Sequence, residues 1–560
     1  MVCPMSRIRI QVPLHLIRAL RSWPVCFALT LAACGGGGGG VAQNGSMTPD
    51  QGTGSSLLVP DLGSVAAQPA ASPLPEGWMR GAFMQIHVRA YKDSDGDGKG
   101  DLKGLISQLD YLQDLGIQGL WLMPVTRSED RDHGYAVKHY RDIETDYGSL
   151  ADMAQLLAQA HQRGMGVIMD YVINHSSSQH PLFLNAASAK LNSQRAYYVW
   201  QDTLPTGWSV WGQNPWYSSG NGYFYAPFWS GMPDFNWRSG PVKNFHHDNL
   251  RFWLNQGVDG FRFDAVGNLV ENGSTAWESQ PENHTIMGQV QALIHGYDKR
   301  YMVCESPAAP QAFGAASSCG SAFAFDLKDN ILRAARGDGT AVAAVSQYFR
   351  TAPAAMATFL ANHDSFAGDR VWNQLSGNLA QYKMAAATYL LLPGTPFIYY
   401  GEEIGMANGA GLTGDGALRT PMSWTGQASG FTAGVPFRGL SANIAVNNVQ
   451  AQRGVEGSLH SFYKALIGLR KRLPSLARGD YSGAWSQGTA MGFQRSLGTE
   501  RTMVLYNYGL NPQPVSLSGL AASSSWAAEY PASTDVQVGS NGTLALTLPP
   551  QSVTVYRQRP

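Results

Sequence analysis

Charged side chains are scarce in this chain. Lys, Arg, Asp and Glu make up 14% of its 560 residues and cancel to a formal net charge of +0, where ordinary domains carry about 25% charged residues. There is no basic footprint, which excludes a protein built to neutralise nucleic-acid phosphates. Cysteine is sparse too: of five, Cys3, Cys26 and Cys34 lie near the N-terminus, leaving only Cys304 and Cys319. Those two either bridge in an oxidising compartment or stay as buried thiols. Long apolar runs are also missing at the front of the chain. The stretch Val25 to Ala33 is too short to remain as a membrane-spanning helix.

What is present begins with that stretch. Arg7, Arg9, Arg18 and Arg21 precede it, and it closes in Leu31-Ala32-Ala33-Cys34. This ending resembles the lipobox of bacterial lipoproteins, which implies cleavage before Cys34 and acylation of its thiol. The expectation is an exported lipoprotein held at the outer membrane, periplasm or cell surface by its lipid alone. If the signal is instead cut after Ala33, the product is secreted. Residues 1–33 then form the signal. Residues 34–76, opening with Gly35 to Gly40 and staying rich in Ala, Pro, Ser and Gly, read as a flexible linker.

From residue 82 short apolar strands alternate with amphipathic helices, the pattern of a parallel sheet with crossover helices. Strands are predicted at 82–88, 118–123, 166–172, 258–263, 301–304, 322–325, 355–360 and 396–400. Leu102, Leu105, Ile106, Leu109 and Leu112 recur at helical spacing up to Gly116, and further helices fit 150–162 and 242–256. Eight such strands make an α/β protein with a (β/α)8 barrel, the TIM barrel, over 77–175 and 241–476. Such barrels place their chemistry at the carboxyl ends of the strands. Residues 176–240 interrupt the barrel after its third strand with a run rich in Trp, Tyr, Pro, Gly and Asn, too long for a plain loop, and read as an inserted lobe over the site. From 477 to 560 strands recur without helices, which predicts a C-terminal antiparallel β-sandwich.

The strand ends carry the chemistry. The third predicted strand leads into Asp170-Tyr-Val-Ile-Asn174-His175, the fourth ends in Arg262 and Asp264, the fifth in Glu305, and the seventh in Asn362-His363-Asp364. Alternation along a strand points Arg262 and Asp264 the same way, and an adjacent guanidinium keeps a nucleophilic carboxylate ionised. A pair of carboxyl groups, one ionised and one protonated, is the equipment for cleaving a glycosidic bond. The 15 Trp and 24 Tyr also supply flat rings of the kind on which sugars stack, though most of them serve a core.

These four segments, in this order, resemble the conserved regions of glycoside hydrolase family 13, the α-amylase family. Met232-Pro233-Asp234-Phe235-Asn236 resembles its fifth region, in the form found between oligo-1,6-glucosidases and neopullulanases. Arg419-Thr-Pro-Met-Ser-Trp424 resembles a segment after the last strand. The resemblance implies Asp264 as nucleophile, Glu305 as acid and base, and Asp364 as the group holding the sugar hydroxyls. It also implies that His175 and His363 donate hydrogen bonds to the same sugar, that Arg262 orients Asp264, and that Tyr135 stacks beneath the ring. Where many relatives carry Lys-His after the nucleophile, this chain has Gly267-Asn268. That leaves the leaving-group contacts open, together with a calcium to which Asn174 would otherwise be assigned.

The segment Asp93-Ser-Asp95-Gly-Asp97-Gly-Lys99-Gly-Asp101 starts like an EF-hand loop, but its twelfth position is Gly104 and not Glu. It resembles the calcium loop of oligo-1,6-glucosidase-like members, with Asp93, Asp95, Asp97, the Lys99 carbonyl and Asp101 as ligands, and the implied cofactor is a structural Ca2+. Asp132, three residues before Tyr135, resembles the acid that closes the cleft of exo-acting relatives, and Arg419 is its candidate partner. The expected reaction is retaining hydrolysis of α-1,4 bonds in starch-like glucans or maltooligosaccharides by a monomer, of the α-amylase type. The alternatives are an exo-acting α-glucosidase or oligo-1,6-glucosidase, an amylosucrase-like transglucosylase, and a glucan-binding lipoprotein without catalysis.

Overall fold

The structure is a computed structural model that describes residues 57–129 and 134–560. The signal segment, Cys34 and Asp132 lie outside the described residues. Seven parallel strands form the barrel wall: β1 (Phe83–Ile86), β2 (Gly119–Leu122), β3 (Gly166–Val172), β4 (Gly260–Asp264), β5 (Tyr301–Cys304), β6 (Ala357–Thr358) and β7 (Thr395–Tyr399). They run side by side in the order β5-β4-β3-β2-β1-β7-β6. The strand predicted at 322–325 is reduced to two parallel bridges, Ala322 with Cys304 and Phe323 with Ala357, which join β5 to β6 and close the ring. The chain turns into a helix at Phe325 (Phe325–Ala335), so no length remains there for a strand. The helix predicted across 102–115 is also divided, into Leu102–Ser107 and Leu109–Leu115 on either side of Gln108.

Period-two alternation sorts the barrel interior into an apolar floor and a polar mouth. Phe83, Trp121, Ile168, Tyr301, Val303, Phe323, Phe359 and Phe397 pack into one buried cluster, with Trp78 inserted beneath them. Two residues further along the same strands, polar groups take over: Gln85 after Phe83, Asp170 after Ile168, and Arg262 then Asp264 after Gly260. Strand register sets Asp170 beside Arg262 and Val172 beside Asp264. Gly260 makes the neighbouring strand's approach feasible: at φ 149 a Cβ there would lie 1.7 Å from the Tyr301 carbonyl oxygen.

Residues 176–240 hold the helix Pro181–Ser188 and a three-stranded sheet of Trp200–Gln201, Tyr223–Tyr225 and Trp216–Ser218. At the C-terminal end a six-stranded antiparallel sheet packs with the two-stranded ribbon Gln513–Leu517/Leu544–Leu548 around Trp526, Leu505 and Val515. Residues 57–76 differ from the loose linker that their composition suggests. Their backbone N–H groups donate to side chains of the inserted lobe and the barrel, Leu57 to Asn185, Val65 to Asp248 and Ser72 to Asp298. Asp61 is buried in this stretch and accepts the Tyr140 N–H at 2.8 Å. Side-chain capping of this kind has no signature in composition. Among the described residues no helix is long and apolar enough to cross a membrane.

Candidate active site

A cavity of about 500 Å³ opens at the carboxyl ends of the strands, lined among others by Tyr135, His175, Asp264, Glu305 and Asp364. Its floor is organised by one guanidinium. Arg262 is 1% exposed, and it reaches Asp170 Oδ1 at 2.8 Å and Asp264 Oδ1 at 2.7 Å through Nη1, and Glu305 Oε2 at 2.8 Å through Nη2. Three buried carboxyl groups thus share one cation, which offsets much of the cost of burying them. Asp170 also accepts the Tyr135 hydroxyl at 2.9 Å and the Trp121 indole N–H at 3.2 Å.

Asp264 and Glu305 both line the cavity and act on each other electrostatically. Burial raises Glu305 to about 7; Arg262 opposes the shift and the Asp264 charge adds to it. Asp264 is raised to about 6 by burial, with Arg262 again opposing. The two environments therefore assign the proton to Glu305 first. The chain bends sharply after the first acid. Ala265 sits in the left-handed region at φ 48, and its N–H donates to Glu305 Oε2 at 3.2 Å. A non-glycine residue there costs about 1–2 kcal/mol, strain stored directly between the two carboxyls. With Oε2 held by Arg262 and Ala265, Oε1 is the oxygen left to carry a transferable proton.

Asp364 faces this pair across the cavity. Arg419 Nη2 holds its Oδ1 at 2.9 Å, and His363 Nε2 lies 3.2 Å from its Oδ2. Burial lifts Asp364 to about 7 despite the Arg419 charge. His363 is itself fixed by the Gln85 side chain at 2.6 Å, by the Tyr135 hydroxyl at 2.6 Å and by a stacked Tyr135 ring. Arg419 also donates to the His363 carbonyl at 2.9 Å and pairs with Asp415 at 3.1 Å. Its partners among the described residues therefore lie on the Asp364 side.

Several site residues were not singled out from the sequence. Gln85 completes the floor beside Asp170, and the signal for it is its inward register on a barrel strand. Trp211 and Phe228 come from the inserted lobe, with ring centroids 5.1 Å apart, and Trp277 stands 5.3 Å from Trp211. Together they form a half-open aromatic wall. Asn268, at the departure from the family pattern, lines the cavity beside Glu278. Where the chain after the third strand meets the inserted lobe, at the His175–Asp234 bridge, Asn174 Oδ1 and both carboxylate oxygens of Asp234 are buried without a hydrogen-bond partner. Oxygen atoms left in this way suit a cation.

In the acidic loop one carboxylate oxygen from each of Asp93, Asp95 and Asp101 lies within 4.8 Å of the others, a span that one calcium with ligands at about 2.3–2.6 Å can bridge. Asp93 is shaped by the N–H groups of Asp95, Gly96 and Gly98 and by the Thr432 hydroxyl. Asp101 caps the following helix through the Gly104 N–H at 2.8 Å. Asp97 stands apart from the three: its carboxylate takes the Lys99 ammonium at 3.2 Å and the Lys99 N–H at 2.7 Å. Cys304 and Cys319 form a disulfide at the foot of the Glu305 turn.

Residues 85–479 match the sequence model of the α-amylase catalytic domain. The chain is 33% identical over 449 residues to α-amylase 3 of Dictyoglomus thermophilum, covering 77% of this chain and 85% of that protein. It is 29% identical to an oligo-1,6-glucosidase of Parageobacillus thermoglucosidasius over 77% of this chain and 90% of the relative. Among solved structures, the α-amylase from H. orenii superposes with a TM-score of 0.73 at 30% identity, covering 86% of this chain and all of that one.

Proposed function

Because the chain belongs to the α-amylase family of glycoside hydrolases, we propose that it hydrolyses α-1,4-glucosidic bonds of starch-like glucans or maltooligosaccharides with retention of configuration. The observation that carries this reading is the single guanidinium of Arg262 holding both Asp264 and Glu305 at the floor of one cavity. In the first step Glu305 gives its proton to the glycosidic oxygen while Asp264 attacks the anomeric carbon; that carbon–oxygen bond breaks, and the leaving saccharide departs as an alcohol. In the second step the Glu305 carboxylate takes a proton from water, the water oxygen attacks the same carbon, and Asp264 is released. Asp364, set by Arg419, is placed to bind ring hydroxyls, with His175 and His363 as donors and Tyr135 as the stacking face.

This division of labour sets a pH profile. Asp264 must be ionised and Glu305 protonated, so kcat/KM is expected to fall below about pH 6 as the nucleophile gains a proton, and above about pH 7 as the acid loses one. The bell should narrow to a monotonic rise when an activated aryl glucoside, which needs no leaving-group proton, replaces the natural substrate. An unchanged alkaline limb would contradict the role given to Glu305.

Endo action is supported by the α-amylase relatives and by Arg419, whose guanidinium is taken up by Asp364, Asp415 and the His363 carbonyl. An exo-acting α-glucosidase is the second reading, favoured by the similarity to an oligo-1,6-glucosidase and by Asp132. Product analysis on soluble starch, maltoheptaose, isomaltose and sucrose separates them. Mixed maltooligosaccharides appearing early from starch fit the proposal, whereas glucose alone from chain ends, or turnover of isomaltose or sucrose, fits the second.

The acidic loop is assigned a structural calcium held by Asp93, Asp95 and Asp101, with Asp97 and the Lys99 carbonyl as further ligands after local rearrangement. A chelator is then expected to lower Tm by several degrees and added calcium to restore it, by linkage to the folded state. Equal melting with and without calcium would remove this assignment.

A further inference from the structure

The opposite end of the barrel carries a second cavity, of about 440 Å³, unconnected with the chemistry above. It lies where the strands begin, between the barrel and the C-terminal sheet. Arg80 and Arg300 reach it from the barrel, and Arg478 and Arg495 from the C-terminal side. His295 stands at its rim, and Glu76 is the one carboxylate among its lining residues.

The balance of partners is uneven. Arg300 is neutralised: its Nη1 lies 3.5 Å from Asp259 and donates to the Asp298 carbonyl at 2.9 Å. Arg495 is 1% exposed, yet it meets no carboxylate. Its Nε and Nη2 both donate to the Gly479 carbonyl, at 3.2 and 2.8 Å, and its Nη1 is buried with no partner. Arg80 and Arg478 form no ion pair with any described residue. Arg478 lies against Gly77, where a Cβ would come within 3.0 Å of its Cδ. Behind them, the fully buried Arg470 donates only to backbone carbonyls, those of Arg80, Leu390, Leu392 and Gly394. Arg80 and Arg470 also repel each other electrostatically, and burial followed by the repulsion of Arg80 draws the Arg495 pKa down to about 10.

Uncompensated buried cations are costly, and a lone buried donor calls for an acceptor. The missing partner here is negative, compact and rich in acceptors. We propose that this cavity is a binding site for a phosphate-class oxyanion, with Arg495 in its wall and Arg80 and Arg478 closing over it. Planar guanidinium forks match phosphate oxygens in pairs. Since the forks come from both sides of the seam, the bound anion would tie the C-terminal sheet to the barrel. The volume leaves room for a small organic group on the phosphate, so a phosphate monoester and inorganic phosphate are both candidates.

The test uses the full chain at fixed ionic strength and pH, with calorimetric titration and thermal melting in inorganic phosphate, in glycerol 3-phosphate and in chloride. Expected are one saturable site, a Tm rise with phosphate that chloride does not reproduce, and no inhibition of starch hydrolysis. Arg80→Gln/Arg478→Gln, on the accessible rim, should weaken phosphate binding at least tenfold and abolish the Tm rise while kcat/KM on starch stays unchanged. Arg495→Met should do the same if it folds; the rim variant decides the matter if it does not. Tighter binding of glycerol 3-phosphate than of phosphate supports the proposal with a monoester as occupant, and equal binding supports it with inorganic phosphate. No binding, an equal effect of chloride, or unaltered binding in the rim variant overturns it.

Discussion

Asp264→Asn is expected to lower kcat on maltooligosaccharides by about 10⁴-fold or more, the scale seen when a covalent nucleophile is removed, while the protein folds as before. Asn keeps the shape of Asp, and its amide oxygen can still accept from Arg262, but it cannot form the glycosyl ester. The stability effect follows from linkage. The folded-state pKa of Asp264 is raised to about 6, above its unfolded value of about 3.9. The folded state therefore favours the neutral carboxyl. This contribution is fully present below the unfolded pKa and is lost as pH rises through the folded pKa. At pH 7 the ionised Asp264 is a burden on the fold, so the neutral variant should melt at the same temperature or higher. A variant that retains more than a few per cent of activity, or that melts several degrees lower at pH 7, would contradict this assignment.

Arg262→Met is expected to cost about 3–5 kcal/mol of stability at pH 7, as removal of one member of a buried ion cluster does, and to abolish turnover. Asp170, Asp264 and Glu305 would lose the one cation that binds all three. Without it each carboxyl retains its proton to higher pH, because burial and mutual repulsion then act unopposed. The penalty should consequently shrink when melting is repeated near pH 5, where the three groups are largely neutral. A loss equal at both pH values would indicate that Arg262 acts through packing against Trp121, whose ring centroid lies 5.1 Å from its guanidinium, and not through charge.

The candidate catalytic face was legible because two simple regularities coincide there. Alternation puts Arg262 and Asp264 on the same side of one strand, and the acids Asp170, Glu305 and Asp364 lie at or just beyond neighbouring strand ends. What escaped the sequence depends on contacts between distant segments. Gln85 reaches His363 across the barrel mouth, and Trp211 meets Trp277 from another loop, pairings without a local signature. Arg419 read as the candidate partner of Asp132, and its pairing with Asp364 joins two distant loops that spacing does not connect. Asp97 fits the alternate-acid pattern of its loop, but Lys99, two residues on, competes for it. Residues 322–325 have the composition of a strand, and the helix starting at Phe325 leaves them two bridges. The basic cavity draws on residues 80, 295, 300, 478 and 495, whose separation in the chain hides it.

Whether Asp264 carries the sugar is decided by intercepting the covalent intermediate. The enzyme would be treated with 5-fluoro-α-D-glucosyl fluoride, digested at low pH, and its peptides examined by mass spectrometry. Expected is one fluoroglucosyl group on the peptide that contains Asp264, absent in Asp264→Asn and lost on incubation with a sugar acceptor. Labelling of a different carboxylate, or no label together with initial release of β-configured sugar from starch, would contradict it.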